Sequence, residues 1–255
     1  MTSPMVAIFV TARMGSTRLP GKHMLKLEGK PVIEHLVDRI KLTKGLYKII
    51  LCTTTSKEDN VLEEEAERLG ILCFRGHRVD ILKRWLDAAN LYDIDFIISA
   101  EGDDVFCDPK YIDDVVACYL KTHSDYITCS GLPFGVTPKG IKVTALKTVC
   151  DFKTNTNTEG QSRYFTQTGR FHVTQLSPEI EDSFHSDIRM TLDYKEDFEF
   201  FKRVFHDLYE EHTVFSLKKI LDHLDKHPSI IRINQHMQKE YAKRSAELYP
   251  PLENT

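Results

Sequence analysis

From Val6 to Cys129, short uninterrupted apolar runs alternate with apolar stripes at helical spacing, a rhythm that selects a mostly parallel sheet covered by helices. Val6-Ala7-Ile8-Phe9-Val10 has no polar side, as a strand buried on both faces requires. Behind Pro31, a residue suited to a first helical turn, Val32, Ile33, Leu36, Val37 and Ile40 form a helical stripe. The pattern then repeats. Strand Tyr47 to Cys52 precedes a helix with Val61, Leu62, Ala66 and Leu69, capped by Asp59 or Asn60 and stopped by Gly70. Strand Ile71 to Phe74 precedes Ile81, Leu82, Trp85, Leu86 and Ala89. Strand Asp95 to Ser99 precedes a helix opened by Pro109 with Ile112, Val115, Val116 and Tyr119, and Tyr126 to Cys129 is a further strand.

From Gly131 to about Gly169 the pattern loosens into Asn, Thr, Gly and Pro between short apolar pieces, which predicts loops and short strands closing over a ligand. Strands are expected again at Phe171 to Leu176 and Arg189 to Asp193. Helices follow, with Phe198, Phe201, Val204, Phe205 and Leu208 on one and Leu217, Ile220, Leu221 and Leu224 on the other. The expected organisation is one α/β domain over residues 1–233, in which 131–176 forms a sugar-binding and dimer-contact region, and a polar surface tail over 234–255.

With 255 residues, 41% hydrophobic and 28% charged, the chain can bury a full core, and its net charge of -4 argues against a general attraction to nucleic acid or anionic membrane. No stretch approaches a membrane span, so a cytoplasmic protein is expected. Six scattered cysteines without a C-x-x-C pair read as reduced packing residues.

The chemistry-bearing residues fall just after the strands, where open α/β sheets bind ligands. Ala12-Arg13-Met14-Gly15-Ser16-Thr17-Arg18-Leu19-Pro20-Gly21-Lys22 can wrap main-chain N–H groups around a polyphosphate while Arg13, Arg18 and Lys22 neutralise it. Three cations so close together repel one another unless an anion lies between them. The loop matches neither the P-loop nor the dinucleotide pattern. Asp103, past the strand ending at Ser99, is placed to hold Mg²⁺, with a turn cap as its alternative; Asp193 reads either as a second metal carboxylate or as a helix cap with Glu196. Arg75, Arg78, Asp80, Lys83 and Arg84 cluster around a helix start, where Arg75 faces base or phosphate, or simply solvent.

These residues, with Gly29-Lys30-Pro31, Phe74-Arg75-Gly76, Gly102-Asp103, Asp108-Pro109 and Leu192-Asp193 followed by Glu196-Asp197-Phe198, resemble the sugar cytidylyltransferases. They resemble above all the SpsF-like branch of spore coat polysaccharide biosynthesis, and are similar to the enzymes that make CMP-Kdo and CMP-sialic acids. The resemblance implies a nucleotide-diphospho-sugar transferase-like, Rossmann-like fold. It also implies Mg²⁺-dependent transfer of CMP from CTP to a sugar of ulosonic or nonulosonic acid type, with release of pyrophosphate. It places the metal on Asp103 and Asp193, the triphosphate on Arg13, Arg18 and Lys22, and the base near Thr54 and Arg75, in a protein that pairs as a homodimer. Departures occur at Asp104-Val105 and Tyr194-Lys195. If the acceptor is acidic, its carboxylate needs a cation of its own, for which Lys139, Lys142, Arg163 and Arg189 are the candidates. Two other readings remain open: a metal-dependent glycosyltransferase of the GT-A type, which would leave the triphosphate loop without a purpose, and a non-catalytic nucleotide-binding protein of a polysaccharide pathway.

Overall fold

The computed structural model describes residues 3–177 and 187–252. Strand β1 (Val6–Thr11) leads through the long loop to the two-stranded ribbon β2 (Lys26–Leu27) and β3 (Lys30–Pro31) and to helix α1 (Val32–Ile40). Then come β4 (Lys48–Thr54), α2 (Asn60–Arg68), β5 (Leu72–Gly76), α3 (Ile81–Leu91), β6 (Phe96–Glu101), α4 (Pro109–Thr122) and β7 (Tyr126–Cys129). The main sheet is seven-stranded, in the order β5-β4-β1-β6-β8-β7-β9, where β8 is Lys139–Lys142 and β9 is Val173–Leu176. Only β8 runs against the others, pairing antiparallel with both β6 and β7.

Register places the strand ends that matter side by side. Thr11 pairs with Cys52 on one flank and with Glu101 on the other, and Thr54 pairs with Gly76. The loops that follow β1, β4, β5 and β6 therefore leave one edge of the sheet together. Alternation along each strand divides the core between two faces. In β1, Ile8 and Val10 pack with α1 and α4, while Ala7 and Phe9 pack with Trp85 and the helix α5 (Val143–Phe152). Trp85 also donates its indole N–H to Thr11 Oγ1 at 2.9 Å, so this large side chain is buried without an orphaned donor.

A third apolar cluster joins α7 (Lys195–Leu208) and α8 (Leu217–Lys226) to Phe106, whose ring lies 4.8 Å from Phe201 and 5.7 Å from Phe205. It anchors the segment 187–194 that carries Asp193. The region after Gly131 is more helical than its sequence predicts, for it holds α5 as well as the short helix α6 (Ser162–Thr166). The strand expected at Arg189 to Asp193 is reduced to a single bridge between Phe134 and Arg189. After a short turn, α9 (Pro228–Ile231), the chain continues as α10 (Met237–Leu248). All six cysteines are unpaired, as expected. Among the described residues no helix is long and apolar enough to cross a membrane.

Candidate active site

The loop after β1 is held by one buried acid. Asp59 accepts from the Met14 amide at 2.7 Å through Oδ1, and from the Thr54 amide and hydroxyl through Oδ2. Asp59, expected with Asn60 as the alternative cap of α2, stands at its N-cap position, but its carboxylate makes no capping bond and ties the ends of β1 and β4 together. Further along, Ser16 Oγ accepts from the Leu19 amide, and Gly21 turns the chain in the left-handed region at φ 67° so that Lys22 points inward. On β6's side, Gly102 makes the close approach possible. A Cβ there would lie 2.8 Å from Thr11 O and 2.9 Å from His23 Cε1, forcing the Asp103 turn away from the loop.

Lys22 is the centre of what results. Its ammonium donates to Asp103 Oδ2 at 2.6 Å, to Leu192 O at 2.8 Å and to Asp193 Oδ1 at 3.0 Å, which uses all three of its protons. Burial opposes the charged ammonium, but Asp103 and Asp193 outweigh it and raise its pKa. For Asp103 burial acts upward and the neighbouring Lys22 charge downward, and the net effect holds the carboxyl below its usual range. The main chain fixes the pair as well, since the Leu192 amide donates to Asp103 O at 2.9 Å. Arg18 bonds Asp193 and lies against the rings of Tyr194 and Tyr241, and Arg13 pairs with Glu159.

Asp193 reaches this point because other groups take over its alternative role. Asp197 accepts from the amides of Asp193 and Tyr194 at 2.8 and 2.9 Å, so Asp197 does the capping and the Asp193 carboxylate is left for cations. Beneath it Arg189, with no exposed side-chain surface, donates to Asp193 Oδ2 and to both oxygens of Asp197. Arg189 was expected as a sugar cation; it is instead the buried support of Asp193.

All of this opens onto one cavity of about 400 Å³. Ala12, Arg13, Ser16, Arg18, Lys22, Asp103 and Asp193 line it, and Lys139 does too. Met14 and Gly15 lie in the loop but not on the cavity wall. The remaining expected residues point elsewhere because each finds a partner away from the cavity. Thr54 bonds Asp59; Arg75 spans Thr54 O, Ser56 O and Glu63; Lys142 faces Asp125; Arg163 donates to Pro250 O. Asp104 and the buried Arg84 also line the cavity, and unforeseen lining groups are Glu101, Glu159 and Gln161, with Tyr241, Arg244, Ser245, Leu248 and Tyr249 from the segment expected as a surface tail. Residues 253–255 of that segment lie outside the described residues.

Acids crowd the floor. Burial, then Asp103 and Glu101, push the Asp104 carboxyl well above its ordinary value, and burial also raises that of Glu101. Lys139 is held charged between them, because the neighbouring Tyr126, Glu101 and Asp104 outweigh the burial that opposes its charge. Each loop cation is thus already answered by a carboxylate. A polyphosphate that claimed Lys22 and Arg18 would take from Asp103 the ammonium it pairs with and leave Asp193 to Arg189, and this is the condition a divalent ion relieves. Among the described residues no three His, Cys, Asp or Glu side chains form a metal cage, but Mg²⁺ needs only one or two protein oxygens beside phosphate and water, and the two converging carboxylates fit it.

His23, beside this cluster, donates from Nδ1 to Gly102 O at 3.1 Å, and burial followed by the Lys22 charge pulls its pKa down to about 4. Between the unfolded pKa near 6.5 and that value the unfolded chain binds more protons, so this residue's contribution to stability falls as the pH drops and does not return below pH 4. Denaturant unfolding is expected to lose about 2 kcal/mol between pH 7.5 and pH 5 on account of His23. His23→Gln, which can keep the bond to Gly102 O, should show that much less pH dependence; an identical slope in both proteins would contradict the assignment.

An open, mostly parallel sheet whose strand-end loops gather cations and paired carboxylates in one crevice has the form of an α/β nucleotidyltransferase. The chain belongs to the cytidylyltransferase family, whose sequence profile matches residues 7–244. It is 32% identical over 237 residues to an uncharacterized protein of Methanocaldococcus jannaschii, covering 91% of this chain and 96% of that protein. It is 25% identical over 229 residues to the spore coat polysaccharide biosynthesis protein SpsF of Bacillus subtilis, covering 88% and 95%. Among solved structures, a cytidylyltransferase from Leptospira borgpetersenii superposes with a TM-score of 0.81 at 28% identity, over 90% of this chain and 97% of that one.

Proposed function

We propose that this chain transfers CMP from CTP to a sugar oxygen with release of pyrophosphate, that Mg²⁺ is its metal, and that the product serves surface polysaccharide synthesis. The observation that carries the reading is the position of Lys22, which brings the loop after β1 and the two carboxylates from after β6 and before α7 to one point. The acidic, cation-matched cavity suits a ligand that arrives with its own metal, and family membership favours cytidine as its base. The relation to SpsF supports a sugar of a surface polysaccharide as acceptor.

In this reading the acceptor hydroxyl oxygen attacks the α-phosphorus of CTP as the bond to the β-phosphate oxygen breaks, and the hydroxyl proton leaves to solvent. Arg13 leaves Glu159 for the β- and γ-phosphates, and Arg18 and Lys22 take up the charge that develops on the departing pyrophosphate. Asp103 and Asp193 would hold the metal, which supplies charge neutralisation at the α-phosphate when bound. The rest is positioning. The loop fixed by Asp59 and the Gly102 turn set the phosphates against the acceptor, so little reorganisation accompanies the step.

Pyrophosphate release from CTP and Mg²⁺, measured across ulosonic, nonulosonic and neutral sugars, tests the proposal. Release is expected with one acceptor class, and replacing CTP by UTP should cost most of the rate. No release with any acceptor, together with consumption of a nucleotide sugar, would turn the reading to a glycosyltransferase.

A further inference from the structure

Past Ile233 the chain crosses back to the cavity. Tyr241, Arg244, Ser245 and Leu248 stand at i, i+3, i+4 and i+7, so one side of α10 presents them together, and all four line the cavity. This helix buries none of its residues, so apolar packing does not explain where it sits. Specific contacts to the site hold it. Arg189, the support of Asp193, donates to Gln238 Oε1 at 3.0 Å. The Tyr249 hydroxyl donates to Glu159 Oε2 at 2.6 Å, and Glu159 is the partner of Arg13. The Tyr241 ring lies 5.1 Å from Phe134 and 5.0 Å from the Arg189 guanidinium. A Cβ on Gly160 would come 2.8 Å from Tyr249 Cγ, so the backbone there is kept bare for this ring.

Charge distinguishes one residue of this wall. Most other cavity cations are bonded, Arg13 to Glu159, Arg18 to Asp193, Lys22 to both metal-site carboxylates and Arg84 to the Cys52 and His77 carbonyls, while Lys139 lies in the field of Tyr126, Glu101 and Asp104. Arg244 lines the same cavity, and among the described residues it has no hydrogen-bond or ion-pair partner. The loop after β1 supplies the phosphate cations from one side. Tyr241 meets both that loop's Arg18, 5.8 Å from its ring, and Phe134, and Gly135, Thr137 and Lys139 also line the cavity.

We infer that α10 is the acceptor-binding wall of the site, with Arg244 receiving an anionic group of the acceptor sugar and Tyr241 and Ser245 contacting its hydroxyls. The inference rests on the cytidylyl-transfer reading above. A guanidinium free of protein partners matches a carboxylate or a phosphate through two parallel N–H bonds, and the two sources are separated by the choice of acceptor.

The experiment is steady-state pyrophosphate release by the full-length chain with saturating Mg²⁺. It compares a carboxylate sugar, its neutral counterpart with the carboxyl reduced, and a sugar phosphate, alongside calorimetric titration with CTP alone. Arg244→Ala is expected to raise KM for the anionic acceptor at least about tenfold while KM for CTP changes less than twofold. Arg244→Lys should recover part of the loss. Lys243→Ala, an exposed neighbour outside the cavity wall, should change neither constant. The better anionic substrate of the wild type then says which anion Arg244 reads. An acceptor KM untouched by Arg244→Ala, a parallel rise in both constants, or equal use of neutral and anionic acceptors would each overturn the inference. If the wild type binds CTP but releases pyrophosphate with no acceptor, the transfer reading itself fails, and the inference with it.

Discussion

Asp103→Asn is expected to lower kcat/KM for CTP by about a thousandfold or more, with the fold intact. Asparagine keeps the size of the side chain and one acceptor oxygen for Lys22, and Lys22 still has Asp193 Oδ1 and Leu192 O. The negative charge is lost, so one of the two carboxylates that suit a divalent ion becomes a weak ligand where charge must be neutralised in the transition state. Removal of one such electrostatic element typically costs two to three orders of magnitude, and loss of a metal ligand more. The measurement is pyrophosphate release across a Mg²⁺ titration, beside thermal unfolding of the same sample. A loss below tenfold would return Asp103 to the turn cap that is the other reading of its position.

Arg189→Met has the largest expected effect on stability. Methionine fills much of the arginine's volume, but it leaves Asp193 and Asp197, both essentially without exposed side-chain surface, without their shared cation. Breaking a buried ion pair from one side costs about 3–5 kcal/mol, which for a chain of this size corresponds to a fall in Tm of about 6–10 °C. The same change removes the donor to Gln238 and releases Asp193, so the Mg²⁺ requirement should rise in whatever enzyme remains folded. A Tm within 2 °C of the wild type would show that the network under Asp193 contributes little.

Much of the frame was legible because it is local. The apolar runs of β1, β4, β5 and β6 and the stripes of α1 to α4 are periodic within their own windows, and their order fixes the edge at which the loops emerge. That Arg13, Arg18, Lys22, Asp103 and Asp193 share one cavity was legible for the same reason, since each follows a strand-like run or precedes a clear helix. Helix α5 was hidden, because Val143, Thr144, Thr148 and Val149 are β-branched and blur a short helical stripe. The roles of Thr54, Arg75 and Arg189 turn on Asp59, Glu63 and Asp197, partners that only the fold identifies. In the tail the spacing of Tyr241, Arg244, Ser245 and Leu248 was readable as one helix face. Its polar composition hid what that face lines, because a helix that covers a charged cavity has no apolar stripe to announce it.

A crystal structure of the protein with CTP and Mg²⁺ tests the central claim most directly. The account predicts the triphosphate among Arg13, Arg18 and Lys22, with the ion on Asp103 and Asp193 and Lys22 moved off at least one of those carboxylates onto phosphate. CTP bound away from the loop after β1, or a metal held without either aspartate, would contradict it.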